Sequence, residues 1–348
     1  MSKLVFCVEA SASAGMGHLM RCLALAQAAQ TRGLDSVWLV PEPVLPVCRQ
    51  RHDWVGRAEQ AASTEAGLAA QVEAICQQEH VLATVLDGYH FSADLAQQLQ
   101  RLEPPLLVLD DIQGATIDSA DIIVNPAGES LHRDYSRRNS TATLCLGAPY
   151  RLLRSEFAVT LPLELSQRRS LTVSLGGSDP KHYTLPLLDA LAATLPDVPL
   201  RVVTGPGFAH RDALDDFISD SPAIIQHVHN CQDMADVWVN ARLAVAAAGG
   251  TQFELAACHT PAVLLVVADN QLVATEQASE QGWCETWDAR ESLDAPALSE
   301  KIKALWDDAQ TLESMHQGAA NYAFTEGADN VLDMLAEHLQ NLQQATGE

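Results

Sequence analysis

Glycine turns set beside ionisable side chains recur along this chain, and each falls where an apolar run ends. Gly15-Met16-Gly17-His18-Leu19-Met20-Arg21 is the first. A dinucleotide fingerprint would need glycine at position 20, where Met20 stands, and no G-K-[ST] of a Walker loop occurs. What remains is a turn that lets backbone approach a ligand, with an imidazole at a helix start. The positive end of the helix dipole disfavours imidazolium, so a neutral His18 able to accept a proton is expected. A packing or capping histidine is the plain alternative. Leu86-Asp87-Gly88-Tyr89 and Leu109-Asp110-Asp111 are the next two. An Asp at a strand end, as Asp87 is, commonly caps a turn; the paired carboxylates of Asp110 and Asp111 can orient a sugar or a water, or equally cap a turn. No metal-ligand spacing accompanies them, so no metal is inferred.

The second half carries anion-binding features. Ser174-Leu175-Gly176-Gly177-Ser178-Asp179-Pro180 and Thr204-Gly205-Pro206-Gly207 offer bare amides to a phosphate. Gly249-Gly250-Thr251-Gln252-Phe253-Glu254 is the most specific stretch, followed by Thr260-Pro261 and Asp269-Asn270-Gln271. A glycine pair opening a helix can hold a diphosphate. Glu254, one turn in, can accept both ribose hydroxyls, and Asn270-Gln271 can hydrogen-bond a sugar. Taken singly, these are a solvated glutamate and an ordinary turn; the set at this spacing is harder to reach by chance.

These residues need elements to hold them. Apolar runs of strand length occur at Leu4 to Val8, Val37 to Val40, Val81 to Leu86, Leu106 to Leu109 and Ile122 to Val124. They recur at Leu171 to Leu175, Leu200 to Val203, Leu243 to Ala246 and Val263 to Val267. Helix-period segments separate them; Leu19, Leu23, Ala26 and Ala29 share one face, and Gly33 stands at the C-cap position. Strands alternating with helices predict an α/β fold with parallel sheets covered on both faces. The two halves are built alike. The expected division is 1–155 for the domain carrying His18 and 156–348 for the nucleotide domain; the amphipathic C-terminal helix, counted with the latter, either closes that domain or crosses back to the first. Ligands of such sheets bind beyond the carboxyl ends of strands, so two facing sheets predict an interdomain cleft.

Composition narrows the partners. With 348 residues, 45 acidic against 21 basic side chains and a net charge of −24, the chain repels nucleic acid and anionic membrane at long range. No run reaches the ~20 apolar residues of a membrane span. The stretch before Glu9 is too short for a secretory signal core. Eight cysteines without a C-x-x-C pair predict reduced thiols in a cytoplasmic protein.

The ordered set Gly15, Gly17, His18 and Arg21; Asp87 and Tyr89; Asp110 and Asp111; Tyr150 to Phe157; Gly176 to Asp179; and Gly249, Gly250, Thr251, Glu254, Pro261, Asn270 and Gln271 resembles the UDP-sugar hydrolase family of pseudaminic acid biosynthesis. The resemblance spans roughly residues 3–325. It implies a GT-B fold, two Rossmann-like doubly wound domains around a cleft. It implies release of UDP from UDP-2,4-diacetamido-2,4,6-trideoxy-β-L-altropyranose by water attack at the anomeric carbon, with neither metal nor cofactor. His18 matches the family's catalytic histidine, and Tyr89 is a second active-site candidate. Gly15, Gly17, Arg21, Asp87, Gly177, Ser178, Gly249, Gly250, Thr251, Glu254, Asn270 and Gln271 are the expected substrate and UDP contacts. Gly88 replaces a family histidine, and Glu9 stands where aspartate is usual. The expected partner is a small UDP-sugar, with neither nucleic acid nor membrane, on a monomer or weak homo-oligomer. A UDP-sugar glycosyltransferase, a hydrolysing 2-epimerase and a non-catalytic nucleotide-sugar binder are the competing readings.

Overall fold

The computed structural model describes residues 2–11 and 16–346. The chain forms two compact units. One comprises the N-terminal residues to Ser11, Gly17–Ser155 and the stretch from Thr325; the other holds Glu156–Phe324.

In the first unit the strands are β1 (Lys3–Val8), β2 (Asp35–Val40), β3 (Arg57–Gln60), β4 (Val81–Asp87), β5 (Leu106–Leu109), β6 (Ile122–Asn125) and β7 (Thr143–Leu146). They pair in parallel in the order β3-β2-β1-β4-β5-β6-β7. Chain order reverses between β1 and β4, whose register sets Val8 beside Asp87. That reversal is the switch point at which open α/β sheets bind ligands.

Helix α1 (Gly17–Thr31) follows β1. Its Ala- and Leu-rich sequence is buried on most of its circumference, as a helix covered on two sides requires. It ends on Gly33 at φ +77°, with Gly33 N–H donating to Gln30 and Leu34 N–H to Ala29. That is a Schellman stop, and only glycine takes its left-handed position without strain. The core joins Val5, Cys7, Val37 and Leu39 to Leu68, Val72, Leu95 and Leu99 from the covering helices.

The second unit contains β8 (Ser170–Ser174), β9 (Leu200–Thr204), β10 (Ile225–His229), β11 (Ala241–Ala247), β12 (Ala262–Val266) and β13 (Cys284–Asp288). All pair in parallel in the order β10-β9-β8-β11-β12-β13, with the switch between β8 and β11. Leu171, Val173, Val202, Val245 and Leu265 form its core with Leu187, Leu191, Leu298 and Ile302.

The C-terminal helix, residues Gly327–Thr346, departs from the expected division of the chain. It belongs to the first unit and packs on α1. Val331, Leu332 and Leu335 are buried along it. Arg32 pairs with Asp329 and Asp333, and Asn330 donates to the Pro149 carbonyl. The amphipathic pattern of this helix indicates a buried face but not which sheet it covers.

Candidate active site

In the first unit the site gathers at the carboxyl ends of β1, β4 and β5. Asp87, the last residue of β4, has no exposed surface. Its Oδ1 lies 2.6 Å from His18 Nδ1 and accepts from Arg21 Nη2 at 2.5 Å. Its Oδ2 accepts from Arg21 Nε at 2.7 Å and from Cys22 Sγ at 3.3 Å. Burial by itself would raise the Asp87 pKa; the Arg21 guanidinium and then His18 outweigh it and hold the carboxyl well below the usual range. Burial pushes in the opposite sense on Arg21, and the same carboxylate overcomes it and raises the guanidinium.

An ionised carboxylate only accepts, so His18 Nδ1 carries the proton in this pair. The contact from Arg21 Nη2 to the same nitrogen, at 3.1 Å, is the weaker one. Nε2 is thereby left as the basic nitrogen, and no described residue bonds it. The Tyr89 ring meets the imidazole edge-on with centroids 4.5 Å apart. Tyr89 Oη donates to Asp111 Oδ2 at 2.9 Å, and Arg21 Nη1 reaches the same oxygen at 3.3 Å. Burial, and next the Asp111 charge, raise the phenol far above its ordinary pKa, so Tyr89 is a donor at neutral pH.

The structure therefore brings His18, Arg21, Asp87 and Tyr89 together. Asp87 has no exposed surface, and both of its oxygens are occupied by His18, Arg21 and Cys22. Arg21 is committed to Asp87 and Asp111. Gly17 opens α1, whereas Gly15 lies outside the described residues. Of the adjacent carboxylates, Asp110 is a turn residue, accepting from Tyr135 Oη, Gln113 N and Gly114 N. Asp111 is the one that joins the site, through Tyr89 and Arg21.

In the second unit the glycine turns also cluster at the carboxyl edge. Gly176, at φ +86°, and Gly249, at φ +121°, hold conformations that side chains resist. A Cβ on Gly205 would lie 2.5 Å from Gly177 Cα, so the turns after β8 and β9 pack backbone to backbone. Gly250 begins the helix Gly250–Ala257. Gln271 Oε1 accepts from Val267 N at 2.8 Å, and its Nε2 lies 3.7 Å from the Cβ position of Gly249. Glu254 Oε2 accepts from Trp238 Nε1 at 3.1 Å. Ser178, Thr251 and Asn270 are partly exposed along the same edge. Asp179 instead caps the next helix through the N–H groups of Tyr183 and Thr184.

Nothing in its sequence context singles out Gln252. It is 1% exposed, donates to the Gly249 carbonyl at 2.9 Å, and leaves its own Oε1 buried without a partner. A glutamine beside a glycine pair gives no signal in sequence; only the helix turn shows that it fixes Gly249. Among the described residues no group of three or more His, Cys, Asp or Glu is placed to hold a metal. Among them, too, no helix is long and apolar enough to cross a membrane.

No protein-family model matches the chain. It is 23% identical over 277 residues to the uncharacterized protein MJ1062 of Methanocaldococcus jannaschii, covering 76% of this chain and 55% of that one. It is 24% identical over 197 residues to the spore coat polysaccharide biosynthesis protein SpsG of Bacillus subtilis, covering 55% and 57%. The chain thus spans about half the length of the curated relatives it matches. Similar solved structures include Acinetobacter baumannii MurG, with TM-score 0.64, 17% identity, and 96% and 99% of the two chains covered. A Polygonum tinctorium UDP-glucosyltransferase gives TM-score 0.68 at 10% identity over 98% and 99%. S. aureus MnaA with UDP gives 0.66 at 11% over 98% and 97%. The fold is that of the GT-B proteins, two Rossmann-like α/β units.

Proposed function

We propose that this chain is an enzyme acting on UDP-sugars and, within that class, a hydrolase. Its proposed substrate is UDP-2,4-diacetamido-2,4,6-trideoxy-β-L-altropyranose. The observation that carries the reading is the His18–Asp87 pair, 2.6 Å long, at the switch point of the first sheet. With Nδ1 protonated toward Asp87, Nε2 is the base. It takes a proton from water as the water oxygen bonds to the anomeric carbon. The bond from that carbon to the phosphate oxygen breaks, and its electron pair leaves on UDP. Asp87 stabilises the imidazolium that results. A positioned base of this kind contributes about 10²–10⁴-fold. Tyr89, held protonated with its O–H directed to Asp111, offers the phenol oxygen as a hydrogen-bond acceptor to a sugar hydroxyl or to the water.

The nucleotide falls to the second unit. Free N–H groups at Gly249-Gly250 stabilise charge growing on the departing diphosphate. Gly177, Ser178 and Thr251 add donors, Glu254 takes the ribose hydroxyls, and Asn270 and Gln271 take polar groups on the sugar. Similar proteins lend support: a polysaccharide biosynthesis protein, a UDP-glucosyltransferase and a protein whose structure is known with UDP.

The test is incubation with a panel of UDP-2,4-diacetamido-trideoxyhexoses without any acceptor, following UDP and the product anomer by NMR. Hydrolysis releases UDP and free sugar in equal amounts, and a single displacement inverts the anomeric centre. UDP release that requires an added acceptor makes the protein a transferase. UDP binding with no product over hours makes it a binding protein. Either outcome overturns the hydrolase reading.

A further inference from the structure

Glu9 follows β1 and is outside the His18 cluster, yet it touches the one segment that presents Tyr89. Its N–H continues the β1–β4 ladder by donating to the Asp87 carbonyl at 2.9 Å. Its Oε2 then accepts from two successive backbone donors, Tyr89 N at 2.8 Å and His90 N at 3.1 Å, and lies 3.2 Å from His90 Nδ1. Two consecutive N–H groups converging on one carboxylate oxygen form a small anion cradle, filled here from within the chain. The carboxylate reaches it across Gly88. A Cβ at residue 88 would lie 2.5 Å from Glu9 Cγ and 2.6 Å from Oε2, so the two residues share one space. The clash is with a flexible side chain, so a larger residue at 88 displaces Glu9 and not the fold.

We propose that Glu9 is a positioning residue for Tyr89, and that Gly88 is the opening through which it acts. The proposal rests on the reading of Tyr89 as part of the active site. Tyr89 is 38% exposed and the His90 side chain 83% exposed, so packing alone leaves this turn weakly held. The Glu9 anchor fixes the backbone from which the phenol reaches Asp111 and the ring meets His18. Displacing such a group by about 1 Å can cost ~10²-fold in rate.

The test uses the whole chain labelled with 3-fluorotyrosine, read by fluorine NMR; five tyrosines give five signals, and Tyr89→Phe assigns one. Glu9→Ala and Gly88→Ala are expected to shift or broaden the Tyr89 signal. Glu9→Gln keeps it in place, because the amide oxygen accepts the same two N–H bonds. On the UDP-sugar substrate, Glu9→Ala is expected to lower kcat about tenfold or more with KM changed less than about threefold. In the Tyr89→Phe background it adds no further loss, since it acts through that residue. An unmoved Tyr89 signal in both Glu9→Ala and Gly88→Ala, or losses that multiply in the double variant, overturns the proposal. Should no UDP-sugar turn over at all, the enzymatic reading fails separately, and the fluorine signals still decide what Glu9 does.

Discussion

A carboxylate with no exposed atom, held between an imidazole and a guanidinium, governs what both neighbours can do. Asp87 fixes the His18 tautomer, and the bidentate grip of Arg21 keeps Asp87 charged. His18→Ala is expected to lower kcat by about 10²-fold or more while the UDP Kd, measured by calorimetry, stays within about threefold. Asp87→Asn should cost kcat by a similar or larger factor, because the amide no longer stabilises an imidazolium. It should also destabilise by ~3–5 kcal/mol, since part of the Arg21 charge is left uncompensated in the interior. The sign of the pH effect follows from the depressed carboxyl. Its stabilisation is present above the unfolded value of about 3.9 and is lost as pH falls through the lower folded value. The gap in urea midpoint between wild type and Asp87→Asn is therefore expected to be full at pH 7 and to close below about pH 4. His18 is legible in sequence because glycine marks its turn. The role of Asp87 is not, because 69 residues separate the pair and only the parallel β1–β4 register joins them.

Among the elements, what sequence conveys depends on where a strand lies in its sheet. The nine apolar runs correspond to the nine interior strands. The four strands without such a run, β3, β7, β10 and β13, are the four sheet edges. Edge strands face solvent on more sides, so Arg57–Gln60 and Ile225–His229 carry charged and polar side chains and look like loops in isolation. The turns beyond the interior strands are legible as glycines, but their mutual packing is not. Gly205→Ala tests that packing. The added methyl would sit 2.5 Å from Gly177 Cα and 2.6 Å from its carbonyl oxygen, and backbone cannot swing aside as a side chain would. The turn after β8 must shift, so UDP affinity is expected to fall about tenfold or more by calorimetry. Glu254→Ala, which leaves both turns intact, should also weaken UDP binding. It frees Trp238 Nε1, so a change in indole fluorescence should accompany the loss.

Over the whole molecule, the first unit is discontinuous in sequence: it closes only when the last helix returns to α1. The approach is close, since a Cβ on Gly327 would meet the Arg151 backbone at 2.1–2.6 Å. Ala328, Val331, Leu332 and Leu335 are buried there. Each of the three larger side chains is worth ~1.5–3 kcal/mol of burial, so together they rival the ~5–15 kcal/mol that holds a typical domain. The ion pairs of Arg32 with Asp329 and Asp333 are half-exposed and contribute far less than the apolar face. Removing residues 325–348 is therefore expected to loosen the first unit while sparing the second. Hydrogen exchange read by mass spectrometry should show protection lost in β1, β4 and α1 and retained in β8 and β11. UDP affinity should survive the truncation, because its proposed contacts lie in Glu156–Phe324, whereas turnover should vanish with the His18 scaffold. Equal loss of protection in both sheets would mean that the two units fold as one, and that the last helix supports more than the half of the chain it touches.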